Sequence, residues 1–147
     1  MKSIFTPEAH TEIMSRIEQL DEHKQAQWGK MNVGQMLYHC QFPLHIILEK
    51  DDYNLKPNWL INLLFKKSMY NDKPWRKNVP TVPRFKAKDN KEVSVEKPKL
   101  IQLLKELHTH KDRSHWQPHP SFGELTKEQW GKMQYKHLDH HLKQFGV

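Results

Sequence analysis

The sequence of 147 residues contains a single cysteine, Cys40, so no internal disulfide can form. No run of residues approaches the roughly 20 consecutive apolar side chains that a membrane-spanning helix needs. The first residues also lack the apolar stretch of a secretory signal peptide. Together these absences predict a reduced, cytoplasmic protein that does not associate with a membrane.

β-Strand patterns of useful length, internal repeats and low-complexity segments are absent as well. Apolar residues instead recur at spacings of three and four, which places them on one face of an α-helix. A chain of this length is typical of a single domain with a sizeable core. We therefore predict an all-α protein with one domain that covers residues 1–147.

Four main helices are predicted, over about residues 7–21, 32–48 and 95–109 and from residue 126 onward. Suitable N-caps precede three of them: Thr6, Asn32 and Thr126. Pro43 should kink the second helix just past His39, because its ring crowds the carbonyl of His39. Four amphipathic helices of this kind are buried most simply in a four-helix bundle.

The connection between the second and third helices is long and contains a compact apolar block. That block, between Pro57 and Tyr70, predicts an extra short helix. The following stretch, from Asn71 to about Asn90, is predicted to be a surface loop because it is rich in proline. Its prolines are Pro74, Pro80 and Pro83.

The chain has 24 Lys and Arg against 17 Asp and Glu, a net charge of +7. Much of the excess lies between Lys66 and Lys99, where Tyr70, Trp75 and Phe85 are interleaved. Proteins that stack on bases combine aromatic and basic residues in this way. However, lysines scattered along an irregular connection usually serve only to solvate it. We therefore predict no specific binding of nucleic acid.

The last helix carries two histidines, His137 and His141, one turn apart. At about 100° per residue they share a face with Gln134 and with apolar and aromatic residues: Trp130, Met133, Leu138 and Phe145. The opposite, solvated side should carry Lys136, Asp139 and Lys143. Buried imidazoles need partners, and two stacked ones can share a metal ion. The alternative is a pair of histidines that lie on the surface or are only hydrogen-bonded.

These residues resemble the DinB-like superfamily of bacterial four-helix-bundle proteins. The resemblance rests on Gly34-Gln35-Met36-Leu37-Tyr38-His39-Cys40 and on His137-x-x-x-His141-x-x-Gln144. It implies a divalent metal held by one histidine of the second helix and the pair on the last, hence by His39, His137 and His141. The stretch from His119 to Thr126 and the ending Gln144–Val147 resemble a branch of unknown function.

The resemblance also implies an activity. Some members of the superfamily are thiol S-transferases that use a low-molecular-weight thiol, and others resemble hydrolases or isomerases. Three imidazoles leave a coordination position open for water or substrate, and they suit Zn, Ni or Fe. We therefore predict a metal-dependent enzyme that activates a water or a thiol for a small-molecule substrate.

Other interpretations stay open at this stage. The chain could be a non-catalytic helical module that binds a metal ion or a small ligand, and a homodimer is compatible with the sequence. No glutamate lies between His137 and His141 to act as a general base, which argues against peptide hydrolysis. Cys40, His119 and Gln144 are further candidates for a role at the site.

Overall fold

The computed structural model describes residues 1–79 and 82–147. Over these residues the secondary structure is helical, with a single isolated bridge between His119 and Gly123. The α-helices are α1 (Pro7–Glu18), α2 (Val33–His39), α3 (Gln41–Ile47), α4 (Trp59–Tyr70), α5 (Val93–Thr109) and α6 (Lys127–Gln144), with a short 3-10 turn at Pro83–Phe85. The prediction of an all-α protein is confirmed.

The predicted N-caps are present. Thr6 accepts a hydrogen bond from the backbone of Ala9 at the start of α1. Asn32 and Gln35 form a reciprocal capping box at α2, and Thr126 and Gln129 form another at α6. Because these caps satisfy backbone N–H groups that have no partner within the helix, they define where the helices begin.

The second predicted helix is divided into two. α2 ends at His39, Cys40 separates the segments, and α3 begins at Gln41. Pro43 therefore lies in the first turn of α3, where a missing N–H removes no helical hydrogen bond. The interruption lies at the predicted position and leaves His39 as the last residue of α2, although Cys40 itself keeps helical backbone angles (φ −65°, ψ −14°).

The core lies between the helices. α5 packs against α1, α2 and α3, while α6 packs against α1, α3 and α4. The largest fully buried side chains are Ile4, Ile13, Ile17, Met36, Leu37, Leu44, Ile47, Leu100, Leu104, Leu107, Trp130 and Phe145. None of the helices in the described ranges is long and apolar enough to cross a membrane.

An α-helix, α4, occupies the apolar block that was predicted to be helical, and the connection after it is irregular apart from the 3-10 turn. Pro80, one of the prolines on which that prediction rested, lies outside the described residues together with Thr81. α4 lies beside α6 and covers part of the side of α6 that was expected to face solvent.

Candidate metal centre

Three histidines come together at the junction of α2 and α6. His39 is the last residue of α2, and His137 and His141 lie one turn apart on the inner face of α6. Their side chains are only 5%, 8% and 7% exposed. The structure thus places all three predicted residues in one buried cluster, which we call the histidine triad.

The spacing of the triad suits a metal ion. His39 Nε2 and His137 Nε2 are 3.1 Å apart, and one ring nitrogen from each residue lies within 4.8 Å of the others. Two ligands that are each about 2.0–2.1 Å from a tetrahedral zinc ion lie about 3.3 Å apart. The three buried histidines could therefore hold one metal ion.

The ring of His39 is held by a backbone carbonyl. Its Nδ1 lies 3.0 Å from the carbonyl oxygen of Phe85. Because a carbonyl can only accept, Nδ1 carries the proton, and Nε2 of the neutral ring presents a lone pair to the triad. Phe42 stacks on Phe85 with ring centroids 4.9 Å apart, and Tyr53 packs edge-on against both rings. These aromatic contacts hold the turn that supplies the carbonyl.

The ring of His141 is held in the same way by a side-chain amide. Its Nδ1 lies 2.9 Å from Gln144 Oε1, and Gln144 Nε2 donates to the carbonyl oxygen of Trp28 at 2.7 Å. The Trp28 carbonyl fixes which end of the amide faces His141, so the amide oxygen must accept from Nδ1. Nε2 of His141 consequently carries no proton, and its lone pair is the second one directed at the cluster.

His137 is the least anchored member of the triad. Its Nδ1 is buried and has no hydrogen-bond partner among the described residues. Its Nε2 faces the lone pair of His39 Nε2, and two lone pairs at this distance would repel each other. Either a shared proton or a shared metal ion must therefore join these two atoms.

The burial of the triad keeps all three rings neutral. Loss of solvent around the ring lowers the pKa of His39 and lowers that of His141 to about 3. The pKa of His137 is held well below its ordinary value, first by burial and then by repulsion from His141 and His39. Since neutral imidazole is the form that binds a metal, metal binding requires no net release of protons from these rings at neutral pH.

The aromatic wall beside the triad is built by residues that the sequence did not assign to it. The Trp75 ring lies edge-on to His137 and to His140, with centroids 6.1 and 5.7 Å away, and Trp28 lies 5.7 Å from His140. Trp75 was considered only as a base-stacking residue. Nothing in the local sequence signals that the loop after α4 folds back over α6.

The expectation that Lys136 faces solvent is wrong. Its side chain is buried, and Nζ donates to the carbonyl oxygens of Ser68 and Asn71 and to Asn71 Oδ1. The reason is that α4 and its C-terminal cap cover this side of α6. Lys143 is exposed as predicted, and Asp139 is half-buried, bonded to Arg16 and Lys143.

A comparison with protein families gives a match over residues 4–146, nearly the whole chain, to the family described as "Protein of unknown function (DUF1569)". The chain belongs to this family. Neither the curated proteins nor the solved structures gave a match. Family membership therefore assigns no activity, and any statement about the chemistry of this DUF1569 protein has to come from its residues.

Cys40 and Gln144, two further candidates from the sequence, have different surroundings. Cys40 is fully buried with its Sγ 3.6 Å from Met36 Sδ, and burial raises the pKa of its thiol. A thiol in these surroundings is inert and acts as a core residue. Gln144, in contrast, does contact the triad through His141.

His119 has a structural role. Its Nδ1 accepts hydrogen bonds from the backbone N–H groups of Ser121 and Phe122, and its ring packs against Phe122 and Trp130. It closes the tight turn that ends in the bridge between His119 and Gly123. This buried imidazole therefore organises the loop before α6.

Proposed function

We propose that this protein is a divalent-metal-dependent enzyme of the DinB-like type, with the metal held by His39, His137 and His141. The observation that carries the proposal is the convergence of the triad: two Nε2 lone pairs are oriented by hydrogen bonds to Phe85 and Gln144, and they meet the third ring. Orientation of ligand imidazoles through their other nitrogen is typical of metal sites. The surface alternative for the histidines does not account for this.

The same proposal includes the fold type and the location. α1, the α2–α3 pair, α5 and α6 would be the four members of a DinB-like bundle, and α4 would be an insertion in its long connection. The arrangement of one histidine at the end of α2 and two on α6 is what the resemblance implies. A cytoplasmic location is part of the proposal, since the one thiol is buried and unpaired.

When bound by three neutral imidazoles, a divalent Zn, Ni or Fe ion lowers the pKa of a water or a thiol that binds to it. The protein's own contribution would be to fix the three lone pairs and to keep bulk water out with the Trp75 and Trp28 rings. The substrate would be a small molecule, with a low-molecular-weight thiol as the second reactant in a thiol S-transferase.

No carboxylate of the last helix is available as a general base. Asp139 is the acidic residue between His137 and His141, and its two oxygens are bonded to Arg16 and Lys143. A metalloprotease needs a carboxylate beside the metal-bound reactant. Thiol transfer, or hydrolysis of a substrate that needs no such base, fits these residues better than peptide hydrolysis.

The rival function is a helical module that binds a metal or small ligand without turnover. The observation in its favour is the low exposure of the triad, 5% to 8%. Replacement of the metal with cobalt(II), followed by titration with azide or a small thiol, separates the two functions. A change in the visible spectrum supports an exchangeable site, whereas an unchanged spectrum at saturating ligand favours the non-catalytic module.

Metal uptake is the direct test of the site. We expect elemental analysis of protein purified without chelator or polyhistidine tag to give one divalent metal per chain. The change His137→Ala or His141→Ala should abolish uptake while the helical circular-dichroism signal stays largely intact. His140→Ala is the matched control, because His140 lies on the same helix and contacts Trp75 but is not in the triad. Equal uptake by all of these proteins would refute the proposal.

A further inference from the structure

The first two turns of α4 have the reverse of the usual orientation: their apolar side chains face solvent, and the polar Asn62 and Lys66 are the less exposed residues. Lys66 Nζ donates to the carbonyl oxygen of Glu124, and the Ser68 carbonyl accepts from Lys136 and from Trp75 Nε1. The bulky apolar side chains of its first two turns are exposed to solvent: Trp59 77%, Leu60 48%, Ile61 42%, Leu63 73%, Leu64 60% and Phe65 52%. A surface helix ordinarily buries such residues.

These six residues, which we call the α4 apolar face, form a projecting surface. The helix is anchored at its C-terminal end, where Met69 and Tyr70 pack on the core. At about 100° per residue the six side chains cover an arc of about 240° around the helix axis. A contiguous apolar surface of this kind on a soluble domain marks a site of interaction.

The positive charge of the protein is concentrated in the same part of the chain. Residues 56–91 contain ten Lys and Arg but only two acidic residues, Asp72 and Asp89. The chain as a whole has a net charge of +7, so the remainder has an excess of one negative charge. Three of these basic residues lie next to the apolar face in the sequence: Lys56 before it, and Lys66 and Lys67 after it.

We propose that the α4 apolar face docks the protein onto an anionic lipid surface. The apolar turns would enter the boundary between headgroups and acyl chains, with Trp59 at the level of the headgroups, and exposed basic residues next to them, such as Lys56 and Lys67, would contact lipid phosphates and carboxylates. This is surface binding and not spanning. It replaces the expectation of no membrane contact, which rested on the lack of a spanning segment, and it does not depend on the proposed metal chemistry.

Two features favour lipid over other occupants of this face. A second copy of the chain would bring two segments with an excess of eight positive charges each against one another, which is unfavourable. A protein groove would have to surround a convex helix that is apolar over about two thirds of its circumference. Fluid acyl chains cover such a helix without any preformed groove.

The test is flotation of the full chain with vesicles made of equal parts phosphatidylcholine and phosphatidylserine, against vesicles of phosphatidylcholine alone. We expect binding to the mixed vesicles, a blue shift of tryptophan fluorescence, and much weaker binding to the neutral ones. The double change Leu63→Asn and Leu64→Asn should weaken binding by about tenfold or more. Val95→Asn is the matched control, since Val95 is an exposed apolar residue of α5 outside the face, 43% exposed.

The Leu63→Asn, Leu64→Asn double variant and the Val95→Asn control alter exposed side chains. Their circular dichroism and thermal melting should therefore match those of the unchanged protein. Lys67→Glu combined with Arg76→Glu should remove the preference for phosphatidylserine. Equal binding to both vesicle types, or equal loss with Val95→Asn, would contradict the proposal. The absence of binding to either vesicle type would overturn the proposal. Sedimentation would then show whether the α4 apolar face is covered in a dimer or stays exposed on a monomer, where it would be left for a protein partner.

Discussion

Gln144 is the residue outside the triad with the most direct link to it. Its amide joins His141 Nδ1 to the Trp28 carbonyl, and both bonds are short. A ligand imidazole without such a partner is less basic and less well oriented, and loss of the partner typically reduces metal affinity about 10–100-fold. The sequence pattern placed Gln144 one turn from His141, but only the Trp28 carbonyl decides which amide atom faces the ring.

We expect Gln144→Leu to lower metal affinity by about 10–100-fold, as measured by competition with a chromophoric chelator. Gln134→Leu is the control. Gln134 is also buried on α6 and also donates to a backbone carbonyl, that of Pro43, but it makes no hydrogen bond to a triad ring. If the two variants lose the same affinity, Gln144 acts only through packing.

His119 should make the protein sensitive to acid. Burial lowers its pKa from 6.5 to about 4. The unfolded chain therefore takes up a proton below 6.5, while the folded protein does not do so until about pH 4. Stability that is present at neutral pH is lost as the pH falls through this window, on the order of 2 kcal/mol by about pH 5.

The variant His119→Asn should reduce this acid sensitivity, because the Asn side-chain oxygen can accept from Ser121 and Phe122 but does not titrate. Urea unfolding at neutral pH and at mildly acidic pH measures the difference. We expect the variant to lose less unfolding free energy between the two conditions than the unchanged protein. An identical loss in both proteins would show that His119 does not contribute to the acid sensitivity.

At the level of the helices, Gly34 determines how closely α2 approaches α5. A Cβ atom at this position would lie 1.8 Å from the carbonyl oxygen of Lys91, just before α5 begins. The contact is to backbone and cannot be relieved by rotating a side chain. Because α2 also carries His39, this close approach helps to fix how deeply His39 lies in the protein.

Gly34→Ala should destabilise the protein although alanine is the better helix former. The gain in helix propensity is about 1 kcal/mol, whereas overpacking costs roughly 1–3 kcal/mol or more. The free energy of unfolding, measured by chemical denaturation, should fall, and metal uptake should fall with it, since α2 and His39 must move together. Gln102→Ala, at an exposed position of α5, should change the unfolding free energy by less than about 0.5 kcal/mol. A stabilised Gly34→Ala protein would contradict the close packing.

For the molecule as a whole, the concentration of basic residues in 56–91 governs what it will bind nonspecifically. The charges lie on a helix end and an irregular connection and do not form the one-sided basic face of a DNA-reading helix. We expect weak binding to DNA that does not depend on sequence and falls steeply as salt is added. Fluorescence anisotropy with two unrelated duplexes at low and at raised salt measures this. A sequence-selective complex that persists in high salt would contradict it.

The sequence alone determined the features that depend on residues close together in the chain. Apolar periodicity and the caps at Thr6, Asn32 and Thr126 predicted the helices, and the four-residue spacing of His137 and His141 predicted their common face. These are local properties, because hydrogen bonds within a helix and side chains one turn apart do not depend on the rest of the fold. The helix α4 likewise followed from its own composition.

Only the tertiary structure decided the contacts between distant segments. His39 meets His137 across 98 residues of sequence, which the family resemblance implied but no local pattern could show. Its ring is held by a carbonyl of Phe85 that no side-chain pattern reveals. Lys136 is buried because α4 covers that side of α6. The apolar face of α4 is exposed because α4 packs on α6 with its other side. Which face of a helix is covered depends on where the other helices pack, and periodicity within one helix does not contain that information.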